Sequence, residues 1–195
     1  MPLLMVMMAL TLLTGLGTAL IVGTMTETAV TAAYREGLEV FYAADAAAEF
    51  AIRDLATHAD WDAVIAGADT SWLTDGLPGG LRKLGVTTID LTRATEEVNA
   101  LLAARTVPAA TRADLYAYGR FERLLAAPDA PAPAYVCIWV AELVPEVPAV
   151  PPARLLYVVG RAYGATGGQR TVLVTVARPL DTDELLQVRL WEEPH

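Results

Sequence analysis

Lysine, cysteine, serine and histidine are almost missing from this chain, and each shortage narrows the functions open to it. Lys83 is the only lysine, and the thirteen arginines are scattered rather than clustered. With a net charge of -9 and a pI near 4.6, the chain has no basic patch for a phosphate backbone, so no nucleic-acid partner is expected. Cys137 is the single cysteine, which excludes an intrachain disulfide and a cysteine-based metal site. It lies in the apolar run Tyr135-Val136-Cys137-Ile138-Trp139-Val140 and reads as a small buried hydrophobe. Ser71 is the only serine, and His58 and His195 are the only histidines. A His58/Asp69/Ser71 hydrolase can be assembled on paper, but no G-x-S-x-G elbow accompanies it. Asp69 and Asp75 stand near the Gly76 turn, yet their spacing is not that of a D-x-[DN]-x-[DN]-G calcium loop. The chain therefore reads as a non-enzyme that needs no cofactor and no metal.

Charge is also absent from a whole segment. The mean hydropathy of the full chain, +0.39, is high for a soluble protein, and the excess is not spread evenly, because residues 1–26 contain no Asp, Glu, Lys or Arg. Leu3 to Gly23 reads LLMVMMALTLLTGLGTALIVG. About 20 such residues, at about 1.5 Å each, cross a hydrocarbon core of about 30 Å. Only a helix satisfies the backbone there, and Thr11, Thr14 and Thr18 can bond back to the preceding turn. Three readings compete for this segment. A cleaved secretory signal wants a basic start and a shorter apolar core. A signal anchor fits the length and wants flanking charge. A pilin-like helix would have its basic leader upstream of Met1, or already removed.

The helical pattern continues past Gly23. Val30, Tyr34, Leu38, Phe41, Ala44, Ala48, Ile52 and Leu55 follow one another at steps of three or four, the period of an amphipathic helix. No proline interrupts residues 3–60, and Gly37 is the only glycine between 24 and 60. Arg35 with Glu39 and Glu49 with Arg53 are spaced four apart on the solvated side. The expectation is one helix of about 55 residues, or about 80 Å. Gly15, Ala19 and Gly23 make a small-xxx-small row on its membrane half, the kind of row through which helices approach closely in lipid. Gly15-Leu16-Gly17 follows no strand, so it is not a nucleotide fingerprint; these glycines would allow local melting of the helix when subunits pack.

Two stretches of this helix carry a resemblance. Met7-Met8-Ala9-Leu10-Thr11-Leu12-Leu13-Thr14-Gly15-Leu16-Gly17, followed by Phe41-Tyr42-Ala43-Ala44-Asp45-Ala46-Ala47-Ala48-Glu49-Phe50-Ala51, resembles the PilX N-terminal family. Its members are minor pilins of type IV pilus systems, related to minor pseudopilins of type II secretion. The resemblance implies an "AAEA"-like box at Ala43, Ala44, Asp45 and Glu49, with Asp45 in place of the usual Glu. It also implies a structural subunit anchored in a bacterial inner membrane, its C-terminal domain extracytoplasmic and able to be carried into a surface filament. Its partners would be other pilin or pseudopilin subunits, met through the N-terminal helix, and a prepilin peptidase. No glutamate stands near the start of the apolar run, where major pilins carry one, which weakens a major-subunit reading more than a minor one. The alternative is a bitopic, membrane-anchored binding or adhesion protein that does not polymerise.

Residues 60–95 hold turn signals around short apolar pieces, which suggest loops and one small hairpin. Thr92 or Thr95 is placed to cap a short helix through Glu96, Glu97, Leu101 and Leu102. Leu115–Gly119 is ambiguous between strand and helix. Tyr135–Leu143, Leu155–Tyr163 and Thr171–Arg178 are β-branched and aromatic runs, the last two joined by a glycine-rich turn. Pro145, Pro148, Pro151 and Pro152 mark a long loop, and Asp181–Glu184 reads as a helix start. Trp61 and Trp72 read as core or interface aromatics. The fold class expected is α+β and pilin-like: a long N-terminal helix, half for the membrane and half amphipathic, packed on a small antiparallel sheet. Its divisions are a membrane half at 1–26, an amphipathic half at 27–58 and a head at 59–195.

Overall fold

The computed structural model describes residues 2–58, 60–105, 109–125, 134–144, 153–179 and 186–194. The expected proline loop at 145–152, the helix start at 181–184 and His195 lie outside the described residues. The chain forms two compact units, Met1–Glu36 and Gly37–His195.

Helix α1 runs from Pro2 to Thr57. Within the first unit its side chains are almost all exposed, from Leu3 at 78% to Tyr34 at 69%. A best 18-residue window with a mean hydropathy of 2.1, none of it buried, makes the helix a candidate membrane span. Apolar side chains left bare in water would each forgo roughly 1.5–3 kcal/mol of burial.

The second unit is a mixed α+β domain. Its helical stretch of α1 buries Val40, Ala43, Ala44, Ala47, Ala48, Ala51 and Leu55. A short helix α2 (Trp61–Ile65) follows, capped by the Asp60 carboxylate, which accepts from the amides of Asp62 and Ala63. Strands β1 (Leu81–Leu84) and β2 (Thr87–Asp90) form a small hairpin. Helix α3 (Leu91–Ala103) starts at once, with the Asp90 side chain accepting from Thr92 N and Arg93 N. That cap lies two residues ahead of Thr92 and five ahead of Thr95, the two expected from sequence; a carboxylate also favours the positive end of the helix dipole.

The main sheet is antiparallel. It contains β3 (Ala109–Ala110), β4 (Asp114–Arg120), β5 (Ala134–Val144), β6 (Ala153–Gly164), β7 (Gln169–Pro179) and β8 (Gln187–Glu192), with helix α4 (Glu122–Leu125) after β4. The order is β3-β5-β6-β7-β8, with β4 also paired to β5. Leu115–Gly119, ambiguous in sequence, is therefore strand. Among the described residues the sheet has six strands, more than the three or four expected, because β3, β4 and β8 add to the three long apolar runs.

Side chains alternate across a strand, and here both sets are buried. On β5, Val136, Ile138 and Val140 join the cluster around α1, while Cys137, Trp139 and Ala141 join the cluster around α3. A strand covered on both faces reads as an unbroken apolar run, which is why Tyr135–Val140 shows no alternation. The β1–β2 turn closes on the β6–β7 turn. Gly85 has φ 57 there, and a Cβ on it would lie 2.8 Å from Ala165 O. Val86 N donates to Ala165 O at 3.1 Å and Thr87 Oγ1 to Gly164 O at 2.7 Å.

Candidate functional site

The feature most open to partners is the apolar part of α1. Threonine hydroxyls are its only polar side-chain groups before Glu27. Thr14 donates to Leu10 O at 2.8 Å, Thr18 to Thr14 O at 2.8 Å, Thr24 to Leu20 O at 2.9 Å and Thr26 to Val22 O at 2.9 Å. Thr11 does the same toward Met8 O at 2.9 Å. Each hydroxyl is thus satisfied by its own helix, as an apolar surrounding would require. Around Gly15, Gly17 and Gly23 nothing lies within 4 Å of where a Cβ would stand. Ala19 is exposed beside them, and Thr11, Leu12, Gly15, Leu16 and Ala19 line a shallow depression on the helix. A second helix could come close along this row.

The Ala43–Ala51 stretch has a different setting. Ala43 and Ala44 are buried, as are Ala47, Ala48 and Ala51, whereas Asp45 is half-buried and Glu49 exposed. Glu49 pairs with Arg53 at 3.2 Å on the solvent side, where the contact is worth only a few tenths of a kcal/mol. The alanines lie against β6. A Cβ added to Gly160 would fall 2.8 Å from Ala44 O and 3.3 Å from the Ala48 Cβ. Helix backbone and sheet backbone meet there, and only small residues fit on both sides. Gly160 was readable as a lone glycine inside a strand pattern, a mark of close backbone approach, but its partner on α1 was not. The expected stripe also moves: Val30 and Tyr34 are 63% and 69% exposed, and the buried face begins at Val40. Ala43, Ala44, Ala47, Ala48 and Ala51 fill that face together with Val40 and Leu55, whereas Glu49 of the box stays in solvent.

The end of α1 is tied by polar groups. Trp61 is buried, and its Nε1 donates to Leu55 O at 3.1 Å. Trp72 is 57% exposed and meets Phe50 edge to face at 5.5 Å. His58 Nδ1 stands 2.9 Å from Asp54 O, and its Nε2 3.6 Å from Asp69 Oδ2. Tyr116 donates from its hydroxyl to Asp54 Oδ2 at 2.7 Å; burial and this carboxylate push its pKa up. Ser71 Oγ accepts from Leu73 N at 3.4 Å. His58 and Asp69 do meet, but among the described residues no hydrogen bond joins Ser71 to His58, and the serine lacks a base.

Asp75 is likewise occupied. It accepts from Arg82 Nε at 2.9 Å and from the Tyr135 hydroxyl at 2.8 Å and 2.9 Å. Burial and the Asp75 carboxylate raise the pKa of Tyr135. Among the described residues no three His, Cys, Asp or Glu side chains converge as metal ligands. On the other face, Arg161 is buried against Glu97 at 3.0 Å and Thr171 at 3.0 Å, with its guanidinium 5.8 Å from the centre of the Trp139 ring. Cys137 is fully buried, and burial raises its thiol pKa, which keeps it an unreactive thiol at neutral pH.

Residues 3–49 match the family model described as PilX N-terminal. The matched segment, about a quarter of the chain, is similar to a PilX N-terminal domain. That domain is pilus-related and pilin-like, and its match takes in the exposed apolar segment, the Gly15, Ala19 and Gly23 row and the box residues Ala43, Ala44, Asp45 and Glu49. The match ends at Glu49, ahead of every strand of the sheet. No curated protein and no solved structure matches the chain.

Proposed function

We propose that this chain is a structural, non-enzymatic minor pilin or pseudopilin-like subunit. Residues 1–26 hold it in a bacterial inner membrane as a single span, with the C-terminal domain extracytoplasmic, and prepilin peptidase processes its N-terminus. Other pilin subunits pack against the Gly15, Ala19 and Gly23 row, and the head selects which neighbours fit. The observation that carries this reading is the PilX N-terminal match lying on an uncharged helix whose side chains are exposed. Residues 27–58, in this reading, leave the membrane and join the head through the box Ala43, Ala44, Asp45 and Glu49.

Cysteine crosslinking tests the proposal. Cys137 is fully buried, so a cysteine introduced at Ala19 is the accessible thiol in the chain. Ala19→Cys is expected to crosslink to pilin subunits in filament-forming cells, and Ile21→Cys, on the opposite side of the helix, much less. Equal yields at both positions would remove the row as the interface. Absence of any pilin adduct from either would favour the non-polymerising adhesion or binding protein.

A further inference from the structure

We draw no further inference here: the strongest candidate, the exposed apolar surface of Leu77, on the Arg82-stapled loop before β1, and Leu81, the first residue of β1, carries nothing because no feature of the structure shows what covers it.

Discussion

Gly160 has no side chain because Ala44 is in the way. A methyl group at this position would fall 2.8 Å from the Ala44 carbonyl oxygen, and that oxygen belongs to a helix backbone that cannot move alone. Gly160→Ala is therefore expected to destabilise the fold by about 1–3 kcal/mol, the usual cost of overpacking. Gly37→Ala provides the contrast. Its added methyl meets only the Arg170 guanidinium at 3.6 Å, an ordinary contact at the end of a flexible side chain. Within a helix that change should stabilise by about 0.5–1 kcal/mol. Thermal unfolding of the full chain in detergent checks both; opposite signs are expected, and equal effects would mean that α1 does not sit on Gly160. Arg161 is a second residue with a sharp expectation. Glu97→Gln leaves a buried guanidinium without its carboxylate, and a loss of about 1–3 kcal/mol should follow in the same measurement.

At the scale of elements, α1 illustrates what periodicity can and cannot convey. The steps of three and four from Val30 to Leu55 do mark a helix, since α1 extends to Thr57. They mark its buried face from Phe41 onward, with Ala44, Ala48 and Leu55 buried and Phe41 and Ile52 packed against the core, but not at Val30, Tyr34 and Leu38, which are exposed. The buried stripe is Val40, Ala43, Ala44, Ala47, Ala48, Ala51 and Leu55. Helix α3 was legible from its apolar spacing, but its start was placed on the threonines because Asp90 also closes strand β2. Asp90→Ala should cost about 1 kcal/mol through loss of the cap, seen as a lower melting temperature and faster amide exchange at Thr92 and Arg93. Unchanged exchange at those two amides would show that the cap contributes little. Strand β4 was ambiguous because Tyr116, Ala117 and Tyr118 are all buried, so neither period shows. The long runs β5, β6 and β7 were legible for the opposite reason: β-branched and aromatic residues bounded by turns have few other uses.

For the whole molecule, the fold class was readable and the second cover of the sheet was not. The far face is built from Leu84, Ile89, Leu91, Val98 and Leu102, drawn from short elements whose mutual packing is not encoded at any fixed spacing. The candidate interface row was readable because it needs only small residues at a helical interval. How the box is used was not, since its partner Gly160 lies more than a hundred residues away. Buried tyrosines give the molecule a predictable response to alkali. Burial raises the pKa of Tyr116 and Tyr135, and pushes that of Tyr163 up to about 12. A raised folded-state pKa means that the stability is whole below the unfolded value of about 10 and is lost as pH rises through the folded values. Unfolding free energy should hold steady to about pH 10. Above it, the loss should be about 1.4 kcal/mol per pH unit for each tyrosine the fold keeps neutral. Phenolate absorbance followed with far-UV circular dichroism checks this; ionisation of all three near pH 10 in a folded chain would contradict it.

The central claim is that the apolar start of α1 belongs to a pilin-like subunit rather than to a simple anchor. Mass spectrometry of the mature N-terminus, on the protein purified from cells with and without prepilin peptidase, tests it most directly. A shorter N-terminus that depends on the peptidase is the predicted result, and one N-terminus common to both cells would contradict the assignment.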